Sequence, residues 1–422
     1  MRKFAEIVML ELRSLVRSRT LAMLVVATVA WMFGLPHVLK GDGTAEGARE
    51  LYLRFSLGGV FVLTVIALLS SATGSLARER VAKRLQLTMV RPVRCFVLVL
   101  GKAVAHMAVG AVVLLTACAA LALEVGLSAP CYHVLSPVLP SVKEEAAAMY
   151  EAYMKDPQTP EAVKKAKKEV VLRILAARAV DHYQSIPTNE VTSWRFPKFH
   201  PQGTDLRVRM RFAAQFDTRQ DVRGRFTLGD WAAPVSNITQ AVVTVPLSPS
   251  QVSEGPADAL TFFNGGKDAL MLRPRKDINV LLPADAFGFN LLRAFLVLLA
   301  ILSLVVSFGL FLSAGLGRPV ALFVALVTLI VGEMSPSVLE QYPEELGANV
   351  TDRIGLFITR VAVEATSPIS SATPLESLAN DECVEPKAVV RSLVLDAVAL
   401  PLILAFLSAL VIPRKQEDAV MG

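Results

Sequence analysis

The chain has 422 residues, of which 53% are hydrophobic and only 19% charged, and its mean hydropathy is +0.50. An ordinary soluble domain carries about 25% charged residues, so composition excludes that class as a description of the whole chain. The net charge of +6 is modest; its distribution matters more than its size, and no nucleic-acid partner is expected.

The N-terminal leader places Phe4, Val8, Leu12, Leu15 and Val16 at helical spacing, with Arg2, Lys3, Arg13 and Arg17 on other faces. This pattern predicts an amphipathic helix on the membrane surface. Glu6 and Glu11 precede the first apolar run, which argues against a cleaved signal peptide. Five nearly charge-free runs follow: Leu21 to Leu39, Leu57 to Leu76, Phe96 to Leu123, Ala294 to Leu316 and Leu393 to Ile412. About 20 such residues cross the hydrocarbon core of a bilayer as a helix, and lipid leaves the backbone no other way to satisfy its polar groups. Val320 to Gly332 is apolar but short, and Glu333 follows it.

Charge decides how that short run is read. Arg2, Lys3, Arg13, Arg17 and Arg19 precede the first span. Arg78, Arg80, Lys83, Arg84, Arg91, Arg94 and Lys102 crowd the connection from the second to the third. Arg318 precedes the short run, and Arg414 and Lys415 follow the last span. Short positive loops stay in the cytoplasm. These segments alternate correctly if there are six spans and both termini are cytoplasmic. The acid-rich loop 333–388, with Glu340, Glu344, Glu345, Asp352, Asp381, Glu382 and Glu385, then lies outside.

Residues 124–285 contain no membrane-length run and are predicted to be extracytoplasmic. Ser141 to Val180 reads as one or two charged helices interrupted near Pro157 and Pro160. Their lysines (Lys164, Lys165, Lys167, Lys168) are read as a solvated face rather than a binding site. From Trp194 the period changes to two. Leu206, Val208, Met210 and Phe212 alternate with Arg207, Arg209 and Arg211, the mark of a half-buried strand. Arg223 to Leu228, Gln240 to Leu247, Ala259 to Phe263 and Ile278 to Leu282 are further strands, pointing to a small β-sandwich. The arginine row is either a solvated face partnered by nearby acids or a surface for an anionic ligand.

Catalytic signatures do not emerge. Gly265-Gly266-Lys267 is followed by Asp268, so no phosphate-cradling P-loop is present, and H-E-x-x-H, C-x-x-C and G-x-S-x-G are missing. His106 falls inside the third span, where an ionisable group is a functional candidate; the competing reading is a neutral ring hydrogen-bonded between helices. Cys95 and Cys118 belong to the third span. Cys131 and Cys383 are both predicted outside, where oxidation can pair them.

The most informative stretch is Ser75 to Lys102, SLARERVAKRLQLTMVRPVRCFVLVLGK. It leaves the second span, forms a short basic helix, breaks at Pro92 and enters the third. Here the sequence resembles the permease subunits of ABC type-2 transporters. The matching residues are Arg78-Glu79-Arg80, Leu85, Leu87, Arg91-Pro92-Val93 and Gly101-Lys102, with Lys83-Arg84 where the family often has Gly-Thr. The leader resembles the family's interfacial elbow helix. The segment from the fourth span into the fifth resembles members with an enlarged domain between the third and fourth spans.

The resemblance implies that Arg78, Glu79, Arg80, Lys83, Arg84, Leu85, Leu87, Arg91 and Pro92 form a coupling helix that docks on a separate ATP-binding subunit. It implies an exporter with two membrane subunits and two ATPase subunits, no catalytic residue or cofactor in this chain, and ATP held by the partner. The expected architecture is therefore a six-span α-helical protein of the inner (cytoplasmic) membrane, with an inserted α+β extracytoplasmic domain. Residues 1–123 carry the interfacial helix, three spans and the coupling helix. Residues 124–285 form the insertion, and residues 286–422 the last three spans and the outer loop. The rival reading is a membrane-anchored receptor or scaffold without transport; a membrane-embedded enzyme comes third, for want of paired Asp, His or Ser groups within the spans.

Overall fold

A computed structural model describes residues 2–39, 45–82, 94–156, 168–180, 182–197, 206–214, 221–239, 242–249, 259–341 and 374–421. The chain divides into two compact units, residues 1–129 with 286–422, and residues 130–285.

The first unit is helical. Helices α1 (Arg2–Val16) and α2 (Arg19–Val38) meet at Ser18, whose hydroxyl accepts from the Leu21 N–H at 3.2 Å and caps α2. α3 (Ala45–Val81) and α4 (Cys95–Val125) follow. After the second unit come α7 (Phe287–Gly315), α8 (Arg318–Gln341), α9 (Pro374–Ala379) and α10 (Pro386–Val394). A π-helical turn, Leu395–Ala399, then leads into α11 (Leu400–Met421).

Among the described residues, four helical stretches are long and apolar enough to cross a membrane: Arg49–Val81, Cys95–Val125, Phe287–Gly315 and Pro386–Ile412. There are five if α1 and α2, which bend by 61° at their junction, are counted as one broken span. The apolar part of α8, Arg318–Val331, is shorter. The second, third, fourth and sixth predicted runs thus have helices of sufficient length, each longer than its charge-free core.

α7 is the central helix. It packs on α3, α4 and α11, and Leu298, Ile301, Leu302, Val306 and Leu310 are wholly enclosed. Close approach depends on small residues, as is usual between membrane helices. A methyl group at Gly110 of α4 would lie 2.2 Å from Leu302 Cδ2, and one at Gly309 of α7 would lie 2.9 Å from Leu69 Cδ1. The outward faces stay apolar: Val26, Phe33, Val112, Leu123 and Phe406 are all more than half exposed.

The second unit is rich in β-structure. Its strands are β1 (Pro130–Leu135), β2 (Gln184–Ile186), β3 (Val191–Arg195), β4 (Leu206–Arg211), β5 (Ala213–Ala214), β6 (Asp221–Leu228), β7 (Trp231–Ile238), β8 (Val242–Pro249), β9 (Ala259–Asn264), β10 (Leu270–Leu272) and β11 (Ile278–Ala286). Eight form one sheet in the order β1-β11-β4-β8-β7-β6-β9-β3, and three form another in the order β2-β10-β5. Ile186, Leu270 and Leu272 of the small sheet join Trp194, Val208, Phe226, Phe262 and Val280 of the large one in a single core.

All five predicted strands are present with shifted ends. β4 alternates as its sequence requires: Leu206, Val208 and Met210 are buried, opposite Leu247, Val245 and Val243 of β8. β3 and β7 escaped the sequence reading because Ser193, Pro234 and Ser236 dilute their apolar alternation. What organises β7 is its turn: Leu228 pairs with Trp231 across Gly229-Asp230, and Gly229 takes φ +56°.

The predicted charged helices are α5 (Val142–Lys155) and α6 (Lys168–Val180). They pack through Ala146, Val171 and Leu175. Pro157 and Pro160 fall outside the described residues, as do Lys164, Lys165 and Lys167.

Candidate functional site

The described part of the predicted coupling stretch lies at one end of the helical unit, where α3 finishes and α4 begins. Ser71, Ser75 and Glu79 recur every four residues on α3 and therefore share a face. Lys102 and His106 do the same on α4. The two stripes meet. The Lys102 ammonium donates to Glu79 Oε1 at 2.8 Å and to Ser75 Oγ at 2.9 Å, and Ser71 Oγ lies 3.3 Å from His106 Nε2.

Glu11 of α1 completes the cluster. Its Oε2 accepts from Lys102 at 2.7 Å, and its Oε1 accepts from the Ser75 hydroxyl at 2.7 Å. An ammonium has three donors, and here each has a partner. Lys102 is 2% exposed, so this is a buried cation whose desolvation is offset by two carboxylates and a hydroxyl. His106 Nδ1 sits 2.8 Å from the Lys102 carbonyl, which only accepts; in the neutral ring Nδ1 donates and Nε2 accepts from Ser71. His106 is thus a hydrogen-bonded ring between helices, as the blander sequence reading had it.

The Gly101-Lys102 pair acquires a physical meaning. A methyl group on Gly101 would lie 2.8 Å from Ile7 Cγ2 of α1. Glycine lets α1 settle against α4, and the next residue bonds it there through Glu11.

Arg80 extends the junction to α7. Its guanidinium donates to the Ala314 carbonyl at 2.8 Å and the Leu316 carbonyl at 2.6 Å. These oxygens belong to the end of α7, where carbonyls lack intrahelical donors and a cation is favoured. Arg78 Nε donates to the Gly74 carbonyl at 2.9 Å, and a methyl group at Gly74 would stand 3.1 Å from Arg318 Nε of α8. The end of α3 is therefore tied to α1, α4 and α7 by side chains and lies against the start of α8.

Of the predicted coupling residues, Arg78, Glu79 and Arg80 belong to this junction. Lys83, Arg84, Leu85, Leu87, Arg91 and Pro92 lie outside the described residues. Glu11 and Ser75 were not singled out from sequence. The available signal was an acid amid the apolar stripe of an amphipathic leader, and a serine one helical turn before Glu79. Cys95 and Cys118 are free thiols, and Cys131 and Cys383 are disulfide-bonded.

A second polar contact braces the other end of α7. The buried Asn290 amide donates to the Glu382 carbonyl and accepts from the Val384 N–H, both at 2.7 Å. Arg49 of α3 meets Asp381 at 2.9 Å. In the β-rich unit the arginine row is engaged in part: the Arg207 guanidinium stacks 4.9 Å from the centre of the Tyr132 ring. Among the described residues no three His, Cys, Asp or Glu side chains are grouped to hold a metal ion.

Compared with known proteins, the chain matches no family model, no curated protein and no solved structure.

Proposed function

We propose that this chain is the membrane-spanning permease subunit of an ATP-driven transporter of the ABC type-2 class, working as an exporter. The observation that carries the reading is the buried Lys102 junction. It bonds the end of α3, from which residues 82–94 depart, to α1, α4 and α7. A force applied to that connection by a docked partner would reach four helices through charged contacts instead of dissipating in a loop.

In this reading the chain crosses the inner membrane six times, with α2 and α8 as the first and fifth spans. Both termini face the cytoplasm and residues 124–285 lie outside, where the two sheets form a sandwich-like domain. The chain works as one of two membrane subunits with two ATP-binding subunits. ATP binding closes the ATPase pair, and the segment carrying Lys83, Arg84, Leu85, Leu87, Arg91 and Pro92 converts closure into separation of the membrane halves. The chain itself contributes no catalytic group.

The test is affinity purification of the tagged full chain in mild detergent, followed by mass spectrometry and ATPase assay. The expected outcome is co-purification of a protein with a Walker-type phosphate loop, lost in Arg84→Glu and Leu87→Glu variants that keep the wild-type melting temperature. Recovery of no such subunit from wild-type chain, with both variants behaving as wild type, would favour the receptor or scaffold reading instead.

A further inference from the structure

The last apolar helix, Pro386–Ile412, contains one acidic residue, Asp396. Ten residues separate it from Pro386, which places it about 15 Å along the helix axis at the usual rise per residue, inside the apolar run that begins at Leu393. Asp396 is 3% exposed. Its Oδ2 accepts from the Ser392 hydroxyl at 2.6 Å. Its Oδ1 is buried and has no hydrogen-bond partner among the described residues.

The backbone around Asp396 is also irregular. Leu395–Ala399 is a π-helical turn, with the Leu400 N–H bonding back to the Leu395 carbonyl five residues earlier. Pro401 supplies the cause. It has no N–H, so the Ala397 carbonyl four residues before it loses its intrahelical donor. Ser303 of α7 replaces that donor, its hydroxyl standing 3.3 Å from the Ala397 oxygen. A π-turn in a membrane helix holding a buried acid is a combination that recurs at functional sites.

The elements packed on this turn are α7, α10 and α11. Their ionisable residues are Arg293 on α7, Lys387 and Arg391 on α10, and none on α11 before Arg414. Arg391 acts on Asp396 electrostatically. It is five positions away, lines a groove with Lys387, Val390, Val394 and Leu395, and is exposed, whereas Asp396 points inward. No ion pair joins them. A carboxylate left in this position would be a buried charge with an orphaned oxygen, a costly arrangement.

We propose that Asp396 is a proton-binding site within the last span. The proton is taken from water and forms an O–H bond on the carboxyl; the negative charge is lost, and nothing is oxidised or reduced. Ser392 holds Oδ2, so the orphaned Oδ1 is the oxygen whose environment changes on uptake. The inference does not depend on the transporter reading: a proton site in a membrane helix stands whether or not an ATPase docks elsewhere.

Infrared difference spectroscopy on the full chain in lipid nanodiscs tests it, with buffer protons as the ligand. Subtracting the Asp396→Asn spectrum from wild type should leave one carboxylic-acid C=O band at a pH where exposed carboxyls are ionised. That band should lie on the high-frequency side expected of an acid shielded from water and vanish on alkaline titration. Asp396→Glu, which keeps the acid, should shift the band without abolishing it, and Ser392→Ala should move its titration. The proposal is overturned if the difference contains only a carboxylate band, or if Asp396→Glu carries no acid band under the same conditions. The Asp396→Glu arm decides the matter should Asp396→Asn fail to fold.

Discussion

Lys102 and Glu11 lie 91 positions apart in the chain and touch at 2.7 Å, with the ammonium 2% and the carboxylate 13% exposed. Truncating one member of a buried ion pair strands the other. Lys102→Met should therefore destabilise the helical unit by about 3 kcal/mol, the lower end of the range for such losses, because Glu79 at 31% exposure recovers some hydration. Thermal unfolding in detergent measures this. The double variant Lys102→Met with Glu11→Gln should be less impaired than the sum of the singles, since the two residues are directly coupled. Strict additivity would show that the contact contributes no coupling.

Helix packing yields a second prediction. Gly110 admits Leu302 so closely that a methyl group would stand 2.2 Å from Leu302 Cδ2 and 2.9 Å from Leu68 Cδ1. Leu302 is wholly buried and cannot swing into lipid. Gly110→Ala should cost about 1–3 kcal/mol, the usual penalty for overpacking. Leu302→Ala, which leaves a cavity of its own, should cost less in the Gly110→Ala background than in wild type. If the two penalties simply add, α4 and α7 do not meet at these residues.

These two contacts show where sequence reading succeeds and where it stops. Apolar length alone locates α3, α4, α7 and the last span, because hydrocarbon imposes its dimension on any helix that crosses it. It locates α8 poorly, because Glu333 interrupts the run before membrane length is reached. Period-two alternation finds β4, whose arginines and aliphatics are unambiguous, and misses β7, whose register is set by the Gly229-Asp230 turn. The Lys102 cluster is half legible. Spacing of four marks Ser71, Ser75 and Glu79 as one face, but no local pattern reveals that Glu11 closes it. Asp396 was hidden by the very criterion that found its helix, since one acid hardly changes the hydropathy of 27 residues.

The cysteines give a third prediction. Cys131 and Cys383 are disulfide-bonded while Cys95 and Cys118 are free. Alkylation of the denatured, unreduced chain should modify Cys95 and Cys118 alone, and Cys131 and Cys383 only after reduction. Alkylation of all four cysteines without reduction, in material made in an oxidising compartment, would refute the assignment of Cys131 and Cys383 as oxidised.

The start of α5 supplies a pH-dependent prediction. The Ser141 N–H donates to Glu144 Oε2 at 2.9 Å, and the Glu144 N–H donates to Ser141 Oγ at 3.2 Å, forming a capping box. Donation from the Ser141 backbone, then from its side chain, favours the ionised carboxyl and holds Glu144 below its ordinary 4.5. A carboxyl lowered in the folded state binds its proton more readily when unfolded. Its contribution is therefore complete above 4.5 and is lost as pH falls through the lower, folded-state value. Amide exchange at residues 142–145 should accelerate, beyond the intrinsic trend, only once pH drops through that acidic window. Ser141→Ala removes the hydroxyl but keeps the backbone donor. It should raise exchange at neutral pH and narrow the window from its acidic side, because less of the shift survives. An acid transition unchanged in Ser141→Ala and Glu144→Gln would assign it to another carboxyl.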